Sequence, residues 1–226
     1  MEGPTLKELA VQALSSVEHG YDLLAPKFDA TPFRTPDQIL AATAEALGER
    51  GGFERGLDVC CGTGAGLGVL AEVTAQAPTG VDFSVGMLEE ARKACPDADL
   101  VRADARALPF AAAYDLVVSF GALGHFLPEE RLPLFTGILR ALRPGGVFAL
   151  PMSRAPGPTH PAYWLLSGFD LAMRVRNAVW RPKFVMYYRT HPRPALFADL
   201  RTAGFTVTTT PLPEIGELVV ARRAAL

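Results

Sequence analysis

The sequence predicts an α/β fold built on a doubly wound, mostly parallel sheet, and three observations predict it. Between residues 56 and 151, short apolar stretches alternate with helix-like ones, as strands joined by crossover helices do. Several of the apolar stretches, notably 115–120 and 147–150, are almost without polar residues, which a sheet covered on both faces requires. The first of them runs into Gly62, Gly64 and Gly66, a tight turn at the carboxyl edge of the sheet, where such folds bind their ligands.

Taken in order, the chain opens with a helical pattern over 5–18 and a second one with Thr35 as N-cap, Pro36 at the first helical position and Gly48 at its end. Strands are expected at 56–61, 78–82, 98–102, 114–120 and 146–151, and helices at 65–75, 85–94 and 129–142. The alternation then breaks. Residues 151–194 are rich in proline, aromatics and arginine and read as an insertion with a helix near 162–177. A helix over 193–203 ends at Gly204, and strands at 205–210 and 217–223, separated by a proline-containing connection, bring the total to seven. The expected organisation is a helical cover (1–50), a ligand-binding core (51–150), a cap (151–194) and a C-terminal helix and strand pair that complete the sheet (195–226).

The length of 226 residues suits one α/β domain with an insertion, and an apolar content of 49% allows a sizeable core. A net charge of −2 argues against non-specific nucleic-acid binding over the whole surface. No stretch approaches the roughly 18 uninterrupted apolar residues of a membrane span. The start, MEGPTLKELA, lacks the apolar region of a signal peptide, so a cytoplasmic location is expected. Cys60, Cys61 and Cys95 have no metal-ligand spacing, and the adjacent pair in an apolar strand reads as buried thiols. No metal is expected.

Three nucleotide-binding families use a glycine loop after a strand, and spacing separates them. A dinucleotide fingerprint starting at Gly62 needs glycine or alanine at 67, where this chain has Leu67. A phosphate-binding P-loop needs a Gly-Lys-Ser/Thr ending, and the loop holds no lysine. The glycines themselves permit positive φ and let a ligand lie against the backbone. Asp58 stands inside the apolar strand, where a lone carboxylate is costly unless paired.

Four blocks in order carry a resemblance: LDVCCGTGAG (57–66), GVDFSVGMLEEAR (80–92), VRADARALPF (101–110) with YDLVVSFGALGHF (114–126), and LRALRPGGVFAL (139–150). They span about two-fifths of the chain. The sequence resembles the class I S-adenosylmethionine-dependent methyltransferases, especially the small-molecule branch that includes ubiquinone and menaquinone C-methyltransferases. The resemblance implies strand order 3-2-1-4-5-7-6, S-adenosylmethionine as cofactor and S-adenosylhomocysteine as product. It implies that Asp82 accepts both ribose hydroxyls, for which a carboxylate's two oxygens are suited, the alternative being an N-cap on the next helix. It places Asp104 on the adenine amine and the Ala105 N–H on the adenine ring, with an ordinary turn aspartate as the alternative for Asp104. Phe83 and Met87 would wall the adenosine or simply pack the core. Asp58 would orient the methionine ammonium, hold the loop, or both; Cys60, Gly62, Thr63 and Gly64 belong to the loop, and Ser119 and Phe120 would lie beneath the methionine end.

Methyl transfer from a sulfonium needs alignment and a dry site more than a catalytic signature. His125 is the one histidine close to the expected methyl position, and it reads either as a general base for a hydroxyl acceptor or as a packing or capping residue. His19, His160 and His191 carry no motif and read as solvated loop positions. The segment after Ser119 lacks the acid-or-amide, Pro-Pro, aromatic pattern of enzymes that methylate nucleobase amines, which disfavours those substrates. Between 151 and 194, seven Arg or Lys face one acid, Asp170, among seven aromatics. That composition fits either a cation-rimmed pocket for an aromatic or acidic acceptor or a solvated surface around a packed lid helix. Near the start, Tyr21 to Asp29 resembles the segment that covers the cofactor in relatives, with Phe28 where those often carry tyrosine. The expected function is methyl transfer to oxygen or carbon of a small metabolite. The alternatives are an inert cofactor-binding module and an RNA methyltransferase using the basic cap; a nucleotide-dependent oxidoreductase is disfavoured by Leu67.

Overall fold

All seven expected strands form, in one sheet of order β3-β2-β1-β4-β5-β7-β6. They are β1 (Gly56–Val59), β2 (Thr79–Asp82), β3 (Asp99–Arg102), β4 (Tyr114–Val118), β5 (Leu142–Ser153), β6 (Phe205–Leu212) and β7 (Gly216–Arg223). The first five pair in parallel, and β7 runs antiparallel to both β5 and β6. The computed structural model describes residues 3–5, 11, 14–31, 33–154, 157–180, 185–186 and 192–225.

Among the described residues the sheet is accompanied by α1 (Val17–Leu24), α2 (Asp37–Gly48), α3 (Ala65–Val73), α4 (Val85–Ala94), α5 (Pro128–Ala141), α6 (Pro161–Val179) and α7 (Arg193–Thr202). Short 3-10 turns lie at Ala25–Ala30, Ala105–Ala107 and Ala122–His125. Along β4, Tyr114 and Val117 join a core with Phe135 and Ile138 of α5 and Leu196 and Leu200 of α7. Leu116 and Val118 join the opposite core with Leu47 of α2 and Leu70 of α3. Burial on both faces is why the central strands read as unbroken apolar runs.

The boundaries depart from expectation where caps and register decide them. The expected 5–18 helix is described only in part: residues 11 and 14 are helical, the helix is interrupted at Ser15 and Ser16, and α1 starts at Val17, capped by the Ser16 side chain, which accepts from the His19 N–H; residues 6–10 and 12–13 lie outside the described residues. Thr35 is not the cap of α2, because Pro36 takes that position and the helix begins at Asp37. β5 begins at Leu142 rather than 146, because Leu142 pairs with Tyr114 before a register shift carries the ladder to Leu116 and Val147. Pro211 falls within β6, which tolerates it as the edge strand. His19 lies in α1, and the His160 side chain caps α6 by accepting from the Ala162 N–H; neither is a plain loop position. His191 lies outside the described residues. Among the described residues no helix is long and apolar enough to cross a membrane.

Candidate active site

A cleft of about 1120 Å³ opens at the carboxyl ends of β1, β2, β3 and β4. All of the site residues expected from sequence line it except Gly64, which sits at φ +97° as the cap of α3. The turn that leaves β1 is sharp: Cys60 has φ +62° and Gly62 φ +52°. A non-glycine residue in that region costs on the order of 1 kcal/mol or more, and the surrounding loop must hold it there.

Gly66 differs from the expectation of positive φ. It lies inside α3, and its missing side chain serves close approach instead: a Cβ there would stand 2.3 Å from Asp58 Oδ2 and 2.6 Å from the Phe120 ring. Gly66 therefore lets an acid of β1 and an aromatic after β4 meet at the floor of the cleft.

Asp58 is the most perturbed group of that floor. It is 1% exposed, and Oδ1 has no hydrogen-bond partner. Burial, reinforced by the nearby Asp82 charge, pushes its carboxyl up to about 8. The acid is protonated at neutral pH, and a cation placed against it would favour the ionised form.

Asp82 ends β2. Its Oδ2 accepts from the Gly62 N–H (3.0 Å) and its Oδ1 from the Ser84 N–H (3.0 Å). Burial raises its pKa, and these backbone donors oppose the rise. It is not the cap of α4; Ser84 is, accepting from the Met87 N–H at 3.1 Å. Each Asp82 oxygen keeps acceptor capacity beyond these bonds.

Asp104 is already engaged. Its Oδ1 accepts from the Arg106 backbone N–H (2.9 Å), and the Arg106 guanidinium grips both oxygens, with Nη2 to Oδ2 at 2.6 Å. Arg106 holds this carboxyl below the usual carboxylate range. Ala105 starts the 3-10 turn, so its N–H has no intrahelical acceptor. Met87 is buried in α4, and Phe83 and Phe120 are half-buried along the cleft. Ser119 is used structurally: its hydroxyl donates to the Val59 carbonyl at 2.8 Å and ties the end of β4 to β1. Cys60 and Cys61 carry thiols pushed up by burial, so neither is poised as a nucleophile.

His125 closes the far side. Its Nδ1 lies 2.7 Å from the Val185 carbonyl, which can only accept, so Nδ1 carries a proton. Burial lowers the imidazole pKa, and the neutral ring then offers the Nε2 lone pair to the Tyr21 hydroxyl 2.9 Å away. The Tyr21 ring meets His125 edge-on. The sequence puts Tyr21 in the covering segment but does not link it to His125, since 104 residues separate them.

That covering segment, with Glu18 just before it, makes a polar tie near the end of each of β1, β2, β3 and β4. Asp29 accepts from Thr63 after β1 (2.7 Å), and Asp22 accepts from Ser84 Oγ (2.6 Å) and Gly86 N (3.0 Å) after β2. Glu18 pairs with Arg102 of β3 at 2.8 Å, and Tyr21 reaches His125 after β4. The two acids seven apart in Tyr21–Asp29 are the sequence signal for this role.

The open α/β sheet thus brings a glycine loop after β1 and acids in β1 and at the end of β2 to one cleft, the arrangement the sequence resemblance leads one to expect. Residues 57–146 match the methyltransferase domain family. Over 164 residues the chain is 33% identical to a demethylmenaquinone methyltransferase of Renibacterium salmoninarum, covering 63% of this chain and 62% of that protein. Over 99 residues it is 41% identical to a trans-aconitate 2-methyltransferase of Azoarcus sp., covering 43% of this chain and 38% of the relative. The chain thus spans less than two thirds of either relative. An O-methyltransferase family protein from Burkholderia thailandensis shares the fold with TM-score 0.70 at 18% identity, covering 97% of this chain and 67% of that one. The family match covers residues 57–146, less than half of the chain.

Proposed function

We propose that this chain is an S-adenosylmethionine-dependent methyltransferase that acts on oxygen or carbon of a small molecule, in the cytoplasm. The observation that carries the reading is Asp58: a buried, unpartnered carboxyl at the floor of a nucleoside-type cleft is what a ligand ammonium completes. The cleft fits such a ligand further, because its volume of about 1120 Å³ exceeds the roughly 300–1,000 Å³ of a single-ligand pocket, leaving room for an acceptor. The free thiols of Cys60, Cys61 and Cys95 suit a reducing compartment.

When bound, S-adenosylmethionine supplies an electrophilic methyl group on sulfur. The protein's part is then alignment and exclusion of water. Asp58 holds the ammonium, Asp82 the ribose diol, and Asp104 with the Ala105 N–H the adenine edge, Arg106 sharing the Asp104 carboxylate. Phe83, Met87 and Phe120 wall the adenosine and methionine portions. Tyr21 and His125 receive the proton of a hydroxyl acceptor, the tyrosine passing it to Nε2.

Two assignments separate by magnitude. Asp82→Ala deletes a charged acceptor of two donors, so affinity for S-adenosylmethionine falls by about 1.5–3 kcal/mol. Because Asp82 also holds Gly62 and Ser84, the variant melts lower as well. Asp104→Ala loses roughly 1 kcal/mol, and it fails to discriminate against a cofactor analogue lacking the adenine amine, which the wild type binds more weakly. Equal discrimination by both proteins removes Asp104 from adenine recognition.

Activity itself is read as S-adenosylhomocysteine released with trial acceptors. Demethylmenaquinone and trans-aconitate, named by the relatives, are the first to try. Tight cofactor binding with no turnover on any acceptor would favour an inert binding module.

A further inference from the structure

Asp58, Asp82 and Asp104 account for the ammonium, the ribose and the adenine of the cofactor, and its methionine carboxylate is left without a partner. That group hangs on the same carbon as the ammonium, so it enters the cleft beside Asp58, with Asp82 close by, and both acids are buried. A further carboxylate drawn out of bulk water next to them is costly unless a cation meets it. Among the described residues the lysine and arginine side chains lining the cleft are Arg34, Arg102 and Arg106.

Two of the three are committed on the adenosine side. Arg106 grips Asp104 and pairs with Glu130. Arg102 pairs with Glu18 at 2.8 Å and donates to the Phe83 carbonyl at 3.2 Å. Arg34 stands elsewhere. Its Nε lies 3.7 Å from Asp29 Oδ1, the same oxygen that accepts from the Thr63 hydroxyl at 2.7 Å. One carboxylate thus separates the guanidinium from the glycine loop after β1. The next residue, Thr35, faces the loop after β4: a Cβ on Gly121 would stand 3.8 Å from Thr35 Oγ1. β1 and the loop after β4 also supply Asp58 and Phe120, which meet over Gly66, so Arg34 belongs to the methionine end.

Arg34 has donors to spare. Its close ion pair is with Asp37 at 2.7 Å, and that side chain is 83% exposed at the start of α2. A pair so open to water contributes little. Nη1 also donates to the Thr35 carbonyl at 3.3 Å, and Asp29 is too far for a hydrogen bond. A guanidinium presents five donors in a planar fork and can hold a second carboxylate. The Arg34 side chain is itself half-buried, so a carboxylate meeting it there is partly shielded from water, where a charge-assisted contact is strong.

We propose that Arg34 holds the methionine carboxylate of S-adenosylmethionine, acting with Asp58 on its ammonium so that the two read a free α-amino acid. The inference rests on the cofactor reading above. It predicts selectivity against a nucleoside sulfonium that lacks the carboxylate.

The test is calorimetric titration at pH 8 with S-adenosylmethionine and with its decarboxylated form, which keeps the adenosine, the sulfonium and the amine. The wild type binds the intact cofactor about 10–100-fold more tightly than the decarboxylated one. Arg34→Ala binds the intact cofactor about 10–100-fold more weakly than the wild type and keeps its affinity for the decarboxylated form, so discrimination vanishes. Arg34→Lys recovers part of the discrimination, because the charge returns without the fork. Asp37→Ala, which removes only the exposed partner, discriminates as the wild type does. An Arg34→Ala variant that still discriminates overturns the proposal. So does one that weakens both ligands equally, since Arg34 is then a tie between the covering segment and α2. Equal binding of both ligands by the wild type removes the role of Arg34 alone, whereas binding of neither refutes the cofactor reading itself.

Discussion

Asp58→Asn binds S-adenosylmethionine about 10–100-fold more weakly than the wild type and yet, at pH 7–8 and without ligand, melts at a higher temperature. The two effects have one cause. The folded protein raises the Asp58 carboxyl to about 8, well above its unfolded value near 4. A carboxyl raised on folding favours the folded state less as pH climbs from about 4 to about 8, and the loss is complete above the folded pKa. Asparagine has no such proton to hold, so removing the acid returns stability on the order of 1–3 kcal/mol, part of the gain being offset by the amide's own buried groups. Binding responds in the opposite sense. The ligand ammonium needs the ionised acid, so wild-type affinity rises with pH toward 8. The Asp58→Asn variant shows no such slope and lacks a charge-assisted bond of about 1.5–3 kcal/mol. Calorimetric titrations from pH 6 to 8, beside thermal melts, read both. A variant that melts lower and keeps its affinity would make Asp58 a structural residue.

His125→Ala lowers turnover by about 10²–10⁴-fold with cofactor affinity nearly intact, if the acceptor is a hydroxyl. Because burial lowers the imidazole pKa, the wild-type rate rises through a midpoint below the ordinary value near 6.5. Tyr21→Phe removes the hydroxyl that lies 2.9 Å from Nε2 without unpacking the ring. It loses nearly as much as His125→Ala, and the double variant loses little more, since both groups move one proton. Additive losses would separate the two residues. A Tyr21→Phe enzyme that keeps its rate and pH profile assigns the tyrosine to packing against His125.

The strands were legible because the central ones are buried on both faces and cannot hide their composition, whereas the helix caps were less so: Pro36 takes the place expected of Thr35, and Ser84 rather than Asp82 caps α4. Asp58 and Asp82 were legible because an acid in or at the end of an apolar strand has few structural excuses. Three features were not. The path from Val185 through His125 to Tyr21 joins segments 60 and 104 residues apart, which no local pattern records. Arg106 grips Asp104 through a 3-10 turn whose geometry two-residue spacing does not announce. The orientation of α6 was hidden because helical periodicity marks an apolar face without saying which way it points: the polar Asp170 and Asn177 are buried, and Trp164, Leu165 and Val179 are exposed.

Whether the cleft above β1, β2, β3 and β4 takes S-adenosylmethionine, with Asp58 on its ammonium, is tested most directly by calorimetry. The wild-type chain is titrated with S-adenosylmethionine and, separately, with NADH. The expected result is saturable one-to-one binding of S-adenosylmethionine that strengthens from pH 6 toward 8, and no heat from NADH. Saturable binding of NADH with none of S-adenosylmethionine would refute this reading of the cleft.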